Sequence, residues 1–94
     1  MALAAKLGDM GSDHDGYPAT PIIEGSATVI IEGKPAARMG DALAPHDKPS
    51  APNHDRAIAA GSSSVFIDGK PAARAGDAIS CGGVVIGSGT VNIG

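Results

Sequence analysis

The chain has 94 residues with one Phe, one Tyr, no Trp and one Cys, which excludes a Leu/Phe-packed helical bundle and any internal disulfide. Seven Lys and Arg against ten Asp and Glu leave a net charge of −3, which argues against a nucleic-acid partner. No apolar run approaches the roughly 18 residues of a membrane span, and Met1 to Lys6 hold no apolar signal core, so ordinary secretion is not expected.

A chain of this size buries only roughly 60% of its unfolded surface. Ala is the commonest apolar residue and buries little area. Something besides core size must hold the fold together.

The elements follow in chain order. Ala4-Ala5-Lys6-Leu7-Gly8-Asp9 comes first. A variable segment, Met10 to Glu24, reads as a loop and carries His14. Gly25 to Leu43 reads GSATVIIEGKPAARMGDAL. Within it, Val29-x-Ile31 predicts a short strand with alternate side chains on one face. Glu32-Gly33-Lys34 turns the chain, with Gly supplying positive φ. Pro35 starts a returning strand, where a missing N–H is tolerated. A second loop, Ala42 to Ala60, carries His46 and His54.

Gly61 to Ile79, GSSSVFIDGKPAARAGDAI, repeats the earlier unit 36 residues on, without gaps. A third loop, Ala78 to Ile86, carries Cys81. Gly87 to Ile93 restates the opening Gly-Ser-x-(T/S)-Val-x-Ile of the unit, and Ala4 to Asp9 restates its closing half. Three copies that start and end mid-module predict a closed, three-sided object rather than an open solenoid. The expected fold is all-β, built of short strands and hairpins with pseudo-threefold symmetry, as one domain over residues 1–94. Ala-Ala would let backbones approach where three modules crowd one axis. The Gly-Asp pairs read as turn chemistry, with Asp accepting nearby backbone N–H groups. Lys6, Arg38 and Arg74 read as structural ion pairs or carbonyl clamps.

All three histidines and the cysteine lie outside the repeated framework. A lone loop His is usually solvated, and a lone Cys is usually a small hydrophobe. Spacing alone is weak, with no CxxC or HxxxH. Threefold-related modules, however, bring their loops to one end. His14, His46, His54 and Cys81 would then meet as a tetrahedral site suited to Zn²⁺. Such a staple contributes folding free energy directly. An Asp follows each His, at Asp15, Asp47 and Asp55. These read as ordinary loop residues, and any His–Asp pairing is expected to run between loops. Cys81 as a nucleophile is a weaker reading, because so small a domain has little room for a substrate pocket, and so is a His/Asp hydrolytic metal site, because a closed ligand set offers neither cleft nor open position.

The repeated Pro-Ala-Ala-Arg, at Pro35–Arg38 and Pro71–Arg74, with Gly-Lys before and x-Gly-Asp after, resembles the PAAR-repeat family along essentially the whole chain. The resemblance implies a cone-shaped, β-rich protein. It implies a place on the blunt end of a trimeric β-helical spike (VgrG-like) of a type VI secretion system, or of a related phage tail, where the cone sharpens a spike that pierces a membrane. It also implies one structural zinc near the vertex, held by three His and one Cys, here His14, His46, His54 and Cys81. No catalysis, nucleic acid or stable membrane anchor is expected. The first copy departs from the motif, with Leu3-Ala4-Ala5-Lys6 in place of the tetrapeptide. Many relatives carry fused toxin domains. None is expected here, and a separately encoded effector could ride on the tip. The resemblance further implies a bacterial cytoplasmic protein delivered outside the cell on the spike.

Overall fold

A computed structural model of the chain describes residues 2–49 and 51–94. Every regular element among them is a strand. The three copies of the unit make three two-stranded sheets. They pair β4 (Ile30–Ile31) with β5 (Lys34–Pro35), β8 (Phe66–Ile67) with β9 (Lys70–Pro71), and β1 (Ala2–Leu3) with β11 (Asn92–Ile93), all antiparallel. The turns at Glu32-Gly33 and Asp68-Gly69 place both central residues at positive φ, 50° and 81° in one and 54° and 79° in the other. Positive φ at both positions is the type I′ turn, whose twist matches that of the strands it joins. The expected role of Gly33 and Gly69 holds, and Glu32 and Asp68 share it.

The six Ala of the repeats, Ala4, Ala5, Ala36, Ala37, Ala72 and Ala73, are all buried. Three backbone hydrogen bonds of 3.0 Å close a ring, from Ala5 N to Ala73 O, Ala73 N to Ala37 O and Ala37 N to Ala5 O. Isolated bridges run around it in the same order, joining Ala4 to Arg74, Lys6 to Ala36 and Arg38 to Ala72. Only a side chain no larger than a methyl lets three backbones meet in this way. The apolar core falls into two clusters. One gathers Ala5, Ala37 and Ala73 with Ile22, Leu43, Ile58, Ile79 and Val85. The other gathers Ala36, Ala72 and Ile67 beneath Val29, Ile31, Val65 and Ile93.

Each basic residue of the repeat closes a turn with the Asp three positions on. Asp9, Asp41 and Asp77 each accept the backbone N–H of Lys6, Arg38 and Arg74 on Oδ2, at 3.1, 2.8 and 2.7 Å. The Oδ1 atoms meet the side-chain cations at 3.4, 2.9 and 2.8 Å. All three carboxylates are buried. The expected turn chemistry and structural ion pairs are therefore the same device, used three times. Hydrogen bonds to Asp41 and then to Asp68 raise the pKa of Arg38 above its usual value, and those to Asp77 do the same for Arg74.

The variable segments depart from the loop expectation. Ala42 to Ala60 contains the longest hairpin, β6 (Ala42–Lys48) against β7 (Ala51–Ala57). Its register shifts between Leu43 and His46 and again between His46 and Lys48. These irregularities, with Pro45 inside β6, erase the alternation that announces a strand in sequence. The first and third segments also pair. β2 (Met10–Gly11) lies between β3 (Thr20–Pro21) and β10 (Val85–Ile86) in a three-stranded sheet.

Candidate metal centre

His46 and His54 sit directly opposite each other on β6 and β7. Cross-strand partners share a face, and their rings lie 4.4 Å apart between centroids. His14 reaches them from a tight hairpin of its own. His14 and Tyr17 exchange backbone hydrogen bonds around Asp15-Gly16, both at positive φ (48° and 82°), which is again a type I′ turn. Cys81 arrives on the turn Ser80-Cys81-Gly82-Gly83 and packs against the larger core cluster. An added Cβ on Gly82, whose φ is +118°, would come within 3.1 Å of His14 Nδ1. The turn thus needs glycine for both its backbone and its proximity to the imidazole.

The four side chains offer ligand atoms that all lie within 4.8 Å of one another. His14 Nε2 is 3.2 Å from His46 Nε2, and Cys81 Sγ is 3.4 and 3.6 Å from these nitrogens. Tetrahedral zinc with ordinary bond lengths separates two nitrogens by about 3.3 Å and a nitrogen from a sulfur by about 3.6 Å. The ligand set fits a four-coordinate metal in chemistry, and His14, His46 and Cys81 fit it in spacing, with His54 inside the same 4.8 Å. The expected convergence of the three segments holds.

His46 is buried at 3% exposure. Its Nδ1 lies 2.7 Å from the Pro18 carbonyl, which can only accept, so Nδ1 carries the proton and Nε2 presents its lone pair to the cluster. Burial pulls the His46 pKa below its usual value, against the opposing effect of the Pro18 hydrogen bond, and keeps the imidazole neutral as a ligand must be.

The Asp residues divide. Asp47 and Asp55 are exposed, pointing away from the face that carries His46 and His54, as ordinary surface residues. The His14–Asp15 contact corrects the expectation that such pairing runs between loops, since His14 Nδ1 lies 3.7 Å from its own neighbour's Oδ2. The left-handed backbone at Asp15 brings adjacent side chains together where an extended strand would separate them.

Two residues of the site escape a reading of the sequence. Tyr17 stacks on His14 at 5.5 Å and meets His54 edge-on at 4.1 Å, roofing the cluster. Lys48 lies over its outer face, 4.7 Å from the ring centroid, and donates to the Asp15 carbonyl. Asp-Gly is a turn signal, and His14-Asp-Gly-Tyr17 could have placed this ring beside His14. Arg56 lies two residues beyond His54 on β7, hence on the same face, and is 1% exposed.

Fold and cluster together define a small all-β repeat protein with a His₃Cys candidate metal centre where three non-repeated segments meet. The family profile for the PAAR motif matches residues 3–49 and again residues 13–87, and the chain belongs to that family. Its members are spike-tip proteins of the type VI secretion kind, which makes this a spike-tip-type protein in general class. No curated protein matches the sequence.

Proposed function

We propose that the protein caps a trimeric, VgrG-like β-helical spike, one chain per trimer, and sharpens it with a tip stapled by one structural zinc ion. His14, His46, His54 and Cys81 would hold the zinc. The metal would supply no reaction, only four bonds tying three segments of the chain to one point. The observation that carries this reading is the closed ring of Ala5, Ala37 and Ala73, which gives a single chain the three-way repetition of a trimer's end. The PAAR motif match supports it. So do the three repeated two-stranded sheets, whose edges suit β-augmentation onto the spike's strands. Ile30 and Phe66 hold the same repeat position and are each 58% exposed, as docking residues would be.

The role is mechanical rather than catalytic, and puncture would follow from a hard, narrow tip. No helix among the described residues is long and apolar enough to cross a membrane. The protein would assemble in the bacterial cytoplasm and leave on the spike, with room for a separately encoded effector as a passenger. Native mass spectrometry of the chain, alone and with a trimeric spike protein from the same genome, tests the reading. The expected masses are one zinc per chain and one chain per trimer. A metal-free monomer that ignores the trimer overturns it.

A further inference from the structure

Arg56 is the largest side chain sealed inside this protein, and no carboxylate meets it among the described residues. A guanidinium carries five N–H donors, and five contacts use them. Nε donates to Cys81 Sγ at 3.3 Å. Nη1 donates to Thr20 Oγ1 at 2.9 Å and to the Gly11 carbonyl at 3.3 Å. Nη2 donates to the Ser12 carbonyl at 2.7 Å and to the Gly82 carbonyl at 3.4 Å.

Four of these acceptors are neutral oxygens. A buried cation facing only neutral acceptors carries an unrelieved desolvation penalty, so each of its hydrogen bonds matters. The sulfur is the one acceptor of the five that is also a candidate metal ligand, and the thiolate is the metal-binding form of cysteine. The guanidinium is also rigid and planar. Fixing Nη1 and Nη2 on the first and third segments therefore fixes where Nε–H points.

We propose that Arg56 is the positioning residue of the metal centre. It holds Cys81 Sγ on the cluster through an Nε–H···S hydrogen bond. This inference rests on the reading of the cluster as a metal site. It assigns Arg56 a role distinct from the four ligands, because it acts on the metal only through sulfur. It also explains why an arginine stands on β7 beyond the His54–His46 pair. From there, one planar group reaches segment one at Gly11, Ser12 and Thr20, and segment three at Cys81 and Gly82. Lys at this position would keep the charge and lose the fork.

Cobalt(II) bound to the whole chain tests the proposal, because its thiolate-to-metal charge-transfer band reads the sulfur directly. Arg56→Lys should move that band to lower energy and weaken cobalt affinity, read by competition with a chelator, by about 10–100-fold, the usual effect of losing a partner that orients a ligand. Thr20→Val removes one of the two Nη1 contacts that aim Nε–H and should shift the band in the same direction by a smaller amount. Equal bands in wild type and Arg56→Lys, with equal affinity, overturn the proposal while leaving the metal site standing. Wild type that takes up no cobalt overturns both. A second measurement needs no variant. In the ¹¹³Cd-loaded wild type, the Arg56 Nε proton should show scalar coupling to the metal through sulfur, and its absence overturns the proposal even if no Arg56 variant folds.

Discussion

The repeated framework and the His/Cys-bearing segments solve the same problem in opposite ways. The framework stabilises itself by repetition. The Asp turn and the type I′ hairpin recur as local devices, and the Ala ring joins the copies through backbone hydrogen bonds between distant residues. The segments have no repeat. Their hairpins differ in length and register, and they meet at four ligand-type side chains, one tyrosine and one arginine. A redundant region tolerates loss of one contact better than a region whose every part is unique. The difference teaches that robustness and chemistry are divided between the repeated framework and the segments that join its copies.

The largest effect expected from this division is metal removal. Structural zinc contributes on the order of 10 kcal/mol in small domains. A strong chelator should lower the melting temperature sharply and speed amide exchange first in the segments around His14, His46, His54 and Cys81, with the Ala5, Ala37 and Ala73 amides protected longest. A melting curve indifferent to chelator breaks the comparison. Next comes the ring. Ala37→Leu puts three extra carbons where the residue is 0% exposed and should cost about 3 kcal/mol or more, read by denaturant titration. Here the metal still binds if the chain folds, so cobalt uptake by the folded fraction separates the two regions.

Asp41→Asn should cost less, about 1–2 kcal/mol, because one of three equivalent turns weakens while Asp9 and Asp77 keep theirs. The same measurement on Asp9→Asn should give a similar loss, and unequal losses would show that the copies are not interchangeable. The smallest effect belongs to Asp68, which joins two copies by accepting from Ser26 Oγ at 2.6 Å, Thr28 Oγ1 at 2.5 Å and Arg38 Nη1 at 2.8 Å. The Ser26 hydrogen bond first, then that of Thr28, pulls its pKa below the ordinary value of 3.8. A lowered carboxylate pKa stabilises the fold above the ordinary value and loses that contribution as pH falls through the folded one. The stability gap between wild type and Asp68→Asn should be full at neutral pH and close on acidification below 3.8. A gap independent of pH would assign the effect to shape rather than charge.

Glu32 makes the corresponding link in the first copy, accepting from Thr90 N at 3.1 Å and Thr90 Oγ1 at 3.4 Å. Gly94 holds the same repeat position in the third copy, and there Arg74 Nη1 reaches its backbone carbonyl at 3.3 Å. Identical positions in the repeat thus take different chemistry without losing the link between copies.

Much of this protein was legible in its residues because the turns of its framework are local. Glu32-Gly33, Asp68-Gly69 and the Arg-x-Gly-Asp turns act within four residues, so residue type and spacing suffice to read them. The repeat then multiplied those local readings into a closed object, and the position of every His and Cys outside the repeat pointed to one cluster. The seven-residue strands β6 and β7 were hidden because bulges and proline break the alternation on which strand reading depends. Arg56 beneath Cys81 was decided only by tertiary structure. A turn is set by the φ and ψ of adjacent residues, which sequence carries. A buried guanidinium finds its five acceptors across 45 residues of chain, from Gly11 to Arg56 in one direction and 26 to Gly82 in the other, and only the folded packing brings those partners to it.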